Sequence, residues 1–525
     1  MKEPLLLLEY LIVSSALDTP EWTRRLKPEA SSELTKVRQL YLAFYQAIAN
    51  GDLHSNLHLP SSRALSAQLG LGRNTVIAVY NQLESEGLIR SDGRRGTHVN
   101  YEGTQDRTTV SNYSNPIATS KRANAIHCDS TAFSDLAPGM PDPSLFPVES
   151  WRRAMRKAGR LETDHLGYDP KPLPELQQAV ARYLSIYRSL TVDPARILIT
   201  SSTRQSLLVA AMLYTDPGDV AWVESPGYRG AIDAFTTAGL TLHAMHVDKA
   251  GANIDLQASH PAPALMYLTP CFHYPTGAAL SMQRRRKILD FAIQHRSIIF
   301  EDDYDSEFRD HSEARPALAA QARTWSTHSN QQRSSKHKQA DLHNHRPGNA
   351  IVLHAGTFSK LVFPAARVAW LVLPGEDIYR GQACLKTIGG GHNRIAQATI
   401  TEILESGAIA KHLQTARRVY AQRRDNLISS LNDSAWFKPI AECGGSLSLV
   451  ANLTNTVDRK RFTQCCRTLR LGVQPLEGFM WEIQQREEVS ALVLGAGNIS
   501  TLRIPNAIER LESALDQSGV GKTLA

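Results

Sequence analysis

A chain of 525 residues exceeds the usual length of one compact domain, so at least two are expected. With 42% hydrophobic and 21% charged residues, and 26 prolines spread along it, the composition excludes a collagenous, coiled-coil or wholly disordered chain. Lysine and arginine (58) exceed aspartate and glutamate (51), and the net charge of +7 points toward a polyanionic partner without identifying one.

In chain order, Leu5–Leu8 is an apolar run too short for a signal peptide and is interrupted by Glu9. Residues 5–17 are expected to form a small amphipathic helix packed on its own domain, with no membrane partner. Apolar side chains at Leu34, Val37, Leu40, Tyr41, Phe44 and Ile48 recur at helical spacing and predict a helix over 34–50. A second helix starts after Pro60 with Ser61 or Ser62 as N-cap and ends at Gly70. A third runs from Arg73 to Glu86, and strand-like flanks around Asp92-Gly93 and Gly96 predict a hairpin over 88–99.

Helix, turn, helix and hairpin make the layout of a winged helix-turn-helix, whose second helix enters the major groove of DNA. Here that helix opens on Arg73, Asn74 and Thr75, side chains suited to guanine, adenine and phosphate. Arg63 begins the preceding helix, and Arg94 and Arg95 sit at the hairpin tip. Residues 101–125 are polar without apolar period and read as a linker. The expected domains are 1–100 and 131–525, joined by 101–130.

Beyond Ala137, short apolar strands (197–200, 220–224, 264–267, 298–301, 351–354) alternate with helices such as 203–214 and 283–294. That alternation predicts a large α/β domain with a mostly parallel sheet. The polar, histidine-rich stretch 324–348 is expected to be a disordered surface insertion. Six cysteines (Cys128, Cys271, Cys384, Cys443, Cys465, Cys466) show no metal or disulfide spacing, which fits a reducing cytoplasm and no metal site.

Five pieces at predicted strand ends converge on one chemistry. Gly356–Lys360 offers a lysine for an imine, with Thr357, Ser359 and Arg367 as phosphate donors. In Glu301–Asp305, a carboxylate can hold a pyridine nitrogen protonated, and Tyr304 can donate to a phenolic oxygen. Thr200–Arg204 opens a helix whose free N–H groups can cradle phosphate. Ser225–Tyr228 brings an aromatic ring that can stack on pyridine, and Tyr274–Gly277 follows another strand. Open α/β sheets bind ligands on that side. The cofactor expected from this set is pyridoxal 5′-phosphate.

LPSSRALSAQLGLGRNTVIAVYNQLESEGLIRSDGRRGTHV closely resembles the GntR superfamily of bacterial regulators over residues 35–99. The resemblance implies DNA contacts by Arg63, Arg73, Asn74, Thr75, Arg94, Arg95 and Thr97. ITSSTRQSL, PGDVAWVESPGY, EDDYDSEF and GTFSK followed by FPAAR look like a fold-type I aminotransferase domain. Nearly the whole chain therefore resembles a MocR/GabR-type regulator. By that likeness Lys360 forms the internal aldimine, Asp302 pairs the pyridine nitrogen, Tyr304 meets the phenolic oxygen and Tyr228 stacks. Arg367, Ser202, Thr203, Thr357 and Ser359 hold phosphate, and Asp303 competes with Asp302. The likeness also implies a head-to-tail homodimer on promoter DNA that responds to an amine, an amino acid or the cofactor itself. The alternative is a working aminotransferase with a DNA-binding appendage. Departures from the family pattern fall at Cys271-Phe272-His273, at Ala365-Ala366 and at Gly167–Pro172.

Overall fold

The computed structural model describes residues 22, 25–28, 34–92, 96–101, 134–160, 171–257, 260–309, 315–323, 350–390, 393–440, 447–481 and 488–519. The expected helix at 5–17, wing-tip Arg94 and Arg95, nearly all of the linker, the 167–170 turn and the 324–348 insertion lie outside them. The chain divides into two compact units, Met1–Thr119 and Ser120–Ala525.

In the first unit the order is α1 (Lys36–Ala49), β1 (His58–Leu59), α2 (Ser62–Leu69), α3 (Arg73–Ser85), β2 (Ile89–Asp92) and β3 (Gly96–Val99). Thr35 and Ser61 cap α1 and α2 by accepting N–H bonds from Arg38 and Ala64. Gly70 ends α2 at φ +64°, a left-handed position open to glycine at little cost. Phe44, Val76, Val79 and Leu83 are fully buried, and the Tyr80 ring meets Phe44 edge-on at 5.9 Å. That apolar contact holds α3 against α1. The hairpin adds β1 as a third strand, in the order β1-β3-β2.

The second unit opens with α4 (Val148–Ala158) and α5 (Pro174–Arg188), then alternates strands and helices. These are β4 (Ile197–Thr200), α6 (Thr203–Tyr214), β5 (Val220–Ser225), α7 (Arg229–Ala238), β6 (Thr241–Asp248), β7 (Gly251–Ala252), β8 (Leu265–Leu268), α8 (Met282–His295) and β9 (Ile298–Asp303). There follow β10 (Ile351–Thr357), the one-turn α9 (Phe358–Leu361), β11 (Ala369–Val372), α10 (Asp377–Thr387), α11 (Arg394–Glu405) and α12 (Ala408–Asn432). The strands form one sheet in the order β4-β11-β10-β9-β8-β5-β6-β7. Strands β10, β9, β8, β5 and β6 run parallel, while β11 runs antiparallel to both β10 and β4.

Alternation along β4 shows why both sheet faces are covered. Ile197 and Ile199 join a core with Val180 and Leu184 of α5, whereas Leu198 joins Leu207 and Ala210 of α6. A smaller antiparallel sheet follows, built from β12 (Ser448–Asp458), β13 (Gln474–Pro475) and β14 (Glu488–Gly495) in the order β12-β14-β13. Helices α13 (Arg459–Thr468) and α14 (Ile504–Ser518) bury their apolar faces against it.

Candidate functional site

Strand β10 leads directly into α9, which leaves Lys360 at the C-terminal edge of the large sheet. Its Nζ lies 3.2 Å from Asp305 Oδ1 and 4.2 Å from the centre of the Tyr304 ring. A cavity of about 470 Å³ opens there. Its wall includes Ser202, Thr203, Tyr228, Asp302, Tyr304, Thr357, Ser359, Lys360 and Arg367, every cofactor-site residue expected from the sequence. Pro138, Gly139, Arg204, Tyr267 and Tyr274 complete it.

Each wall residue has a local reason for its place. Ser202 caps α6 by accepting the Gln205 N–H, and Thr357 caps α9 by accepting the Ser359 N–H. Both hydroxyls thus stand at helix starts, where unpaired N–H groups favour anions. Thr357 also donates its hydroxyl proton to Ser359 Oγ at 2.8 Å. Arg367 adopts φ +50°, a left-handed conformation uncommon for a side chain of its size, at the end of a 3-10 turn through Pro364–Ala366. Gly139 (φ +65°) lets the backbone approach closely, since a Cβ there would stand 3.2 Å from Lys360 Nζ.

Strand alternation separates the two adjacent aspartates. Asp302 faces the cavity, and its Oδ2 accepts the Tyr267 hydroxyl at 2.8 Å. Its Oδ1 is buried with no hydrogen-bond partner among the described residues. Asp303 is absent from the cavity wall and pairs with the buried Arg188 guanidinium and with His354 Nε2 at 3.1 Å. Burial lifts the Asp302 carboxyl from 3.8 to about 7, against the Tyr267 hydrogen bond and the Lys360 charge. For Asp303, burial is outweighed by Arg188 and His354, which hold its carboxyl below the usual range.

In the first unit, Arg63 on α2 and Arg73 and Asn74 at the start of α3 are exposed. Thr75 and Thr97 are half-buried, and Thr97 shares a 3.1 Å hydroxyl–hydroxyl bond with Ser91 across the hairpin. The buried residues of α3 (Val76, Val79, Tyr80, Leu83) face its core, so Arg73 and Asn74 at its start are left to solvent.

Residues 136–475 match the family described as aminotransferase class I and II. The chain belongs to that family. Ahead of this aminotransferase unit, residues 36–99 match the bacterial regulatory proteins of the gntR family. Across 92% of the chain and 94% of the relative, it is 27% identical to the probable rhizopine catabolism regulatory protein MocR of Rhizobium meliloti. Identity is 28% to the pyridoxine biosynthesis transcriptional regulator PdxR of Corynebacterium glutamicum, over 75% of this chain and 78% of that one. Among solved structures, the aminotransferase unit shares its fold with LysN, the α-aminoadipate aminotransferase of Thermus thermophilus, complexed with N-(5′-phosphopyridoxyl)-L-leucine. The TM-score is 0.64 at 23% identity, covering 76% of this chain and 97% of that one.

Sequence reasoning missed Tyr267, which sits inside an unbroken apolar strand where only the three-dimensional sheet shows a face. Arg204 and Tyr274 were within recognised motifs but carried no assigned role. At the departures, Phe272 is buried apolar and His273 Nδ1 lies 2.7 Å from Thr276 Oγ1.

Glu224, buried near the end of β5, accepts the Thr269 N–H at 3.0 Å and its hydroxyl at 2.5 Å. Burial raises this carboxyl from 4.5 to about 8, opposed by those donors. The folded protein therefore holds a proton there that the unfolded chain has lost above pH 4.5, and stability is lost as pH rises toward 8. Burial lifts Asp302 and Glu307 to about 7, adding the same sign, while His273, held at about 3 by burial, acts only below 6.5. Between pH 6.5 and 8, Glu224→Gln should flatten the fall in urea-unfolding free energy by up to about 1.4 kcal/mol per pH unit. Equal slopes for variant and wild type would show Glu224 to be ionised in the fold.

Proposed function

We propose that the chain is a transcriptional regulator that senses an amine, an amino acid or pyridoxal 5′-phosphate itself through its aminotransferase unit. Its gntR-type unit binds double-stranded promoter DNA. The observation that carries this function is the convergence of nine separately coded side chains, Lys360 among them, on one cavity. The cavity also fits the cofactor chemically: the buried Asp302 Oδ1, without a hydrogen-bond partner among the described residues, is an acceptor for a protonated ring nitrogen. When bound, pyridoxal phosphate supplies an aldehyde for condensation with amines and a ring that draws off electrons.

Within that cavity Lys360 presents the amine and Asp302 holds the ring nitrogen. Tyr304 donates to the ring oxygen, and Tyr228 covers the ring face. Ser202, Thr203, Thr357, Ser359 and Arg367 bind phosphate through hydroxyl protons and a planar guanidinium. Arg63, Arg73, Asn74, Thr75 and Thr97 meet DNA, with Arg94 and Arg95 at the wing tip. Two chains pair head to tail in the cytoplasm, so that two DNA-reading heads meet two half-sites. Among the described residues, no helix is long and apolar enough to cross a membrane. For control, the effector must bind one arrangement of the dimer better than another; tight but indifferent binding shifts nothing.

The test is the absorption spectrum of the purified protein with added pyridoxal phosphate, followed by a panel of amines and amino acids. A visible band that shifts on amine addition without turnover is the expected result. Transamination at ordinary enzymatic rates, on the order of 1–10³ s⁻¹, would make catalysis the function instead. On the DNA side, Arg73→Ala should weaken specific binding by about 1–3 kcal/mol and relax preference at one base pair, measured by anisotropy at fixed salt. Unchanged affinity and unchanged preference would remove Arg73 from the reading set.

A further inference from the structure

The Lys360 ammonium has a partner to which neither the sequence motifs nor the cofactor assignment gives a role. Asp305 lies just beyond β9, and its carboxylate is 1% exposed. Its Oδ1 stands 3.2 Å from Lys360 Nζ, and its Oδ2 accepts the Leu447 N–H at 3.5 Å from the start of the C-terminal sheet. Asp305 caps no helix N–H with its side chain, although it occupies the N-cap position before the 3-10 turn Ser306–Phe308. The aromatic groups around the amine, Tyr304 at 4.2 Å and Tyr274 at 5.8 Å, offer ring faces that favour a cation.

We propose that Asp305 is a positioning residue for Lys360: it holds the unlinked lysine as an ammonium against the cavity wall and so sets the pH at which that lysine takes up its cofactor. The proposal rests on the assignment of Lys360 as the cofactor lysine. Lys360 attacks an aldehyde only as a neutral amine; a C=N bond then forms, and the carbonyl oxygen leaves as water with both amine hydrogens. A buried carboxylate 3.2 Å from an amine favours its ammonium form and so opposes the neutral form that attacks.

Other groups near the pair do not replace Asp305. Asp302 and Asp303 of β9 are committed to Tyr267 and to Arg188 with His354. Tyr304 and Tyr274 flank the amine through ring faces, and the Tyr420 hydroxyl of α12 accepts the Asp142 N–H. Burial pushes the Asp305 carboxyl above its usual range, and the Lys360 charge pulls it part of the way back.

The experiment follows the rate at which the cofactor-free full-length protein develops its visible band after mixing with pyridoxal phosphate, from pH 6 to 10. In Asp305→Asn the midpoint of the alkaline rise should fall by one unit or more, which is a rate about ten-fold higher near neutral pH. Asp305→Glu, which keeps the charge, should stay near the wild-type midpoint. Asparagine can still accept from Leu447, and Asp305→Ser serves should the amide variant misfold. Coincident midpoints for wild type and the neutral variant would overturn the proposal. A wild type that never develops the band would overturn the cofactor assignment itself.

Discussion

Lys360→Ala should leave the protein folded and unable to form the visible band on addition of pyridoxal phosphate. The side chain lies on a cavity wall, 16% exposed, and contributes an ion pair and a ring contact rather than core packing. Its removal strands the Asp305 carboxylate. Burial already favours the neutral form of that acid, so protonation relieves the unpaired charge. Far-UV circular dichroism and the thermal midpoint check the fold, and the spectrum checks the link. A Lys360→Ala protein that kept the band would assign the link to another lysine.

Asp303→Ala should be far more damaging to stability than Asp302→Asn, although the two residues are adjacent. Removing Asp303 leaves Arg188, 4% exposed, without its countercharge. Breaking a buried pair from one side costs about 3–5 kcal/mol. Asp302→Asn keeps an acceptor for the Tyr267 hydroxyl but removes the acid that can face the cavity as a carboxylate, so its main effect should be on cofactor affinity. Urea unfolding of the two cofactor-free variants, set beside their pyridoxal phosphate titrations, makes the comparison. Equal loss of stability in both would mean that the two carboxylates share one structural role.

Much of this arrangement was legible in the residues. Ser61, Gly70 and the period of α1 mark the helices of the first unit because capping and amphipathic spacing are local signals. Strand exits rich in small hydroxylated residues mark the cavity, since the chain must turn from sheet to helix there. Asp302 and Asp303 could not be told apart because their difference is one of face. Only the register with β10 sets Ala355 and Gly356 beside them. Strand β11 was overlooked: Ala369–Val372 is four residues long, apolar throughout and antiparallel within an otherwise parallel neighbourhood. Nor did the sequence reading mark out β12, whose pairing with β14 is interrupted between Asn452 and Val457. The contacts of Tyr267 with Asp302 and of Asp305 with Lys360 arise only through packing between elements.

The central claim is that the lysine cavity and the DNA-reading unit are coupled. It is tested by anisotropy titrations of a labelled duplex, selected from a random pool by the full-length protein, at one fixed salt concentration. Pyridoxal phosphate, or an amine added after it, should change the wild-type affinity about 5- to 150-fold and leave Lys360→Ala unmoved. Superimposable wild-type curves with and without both ligands would contradict the account.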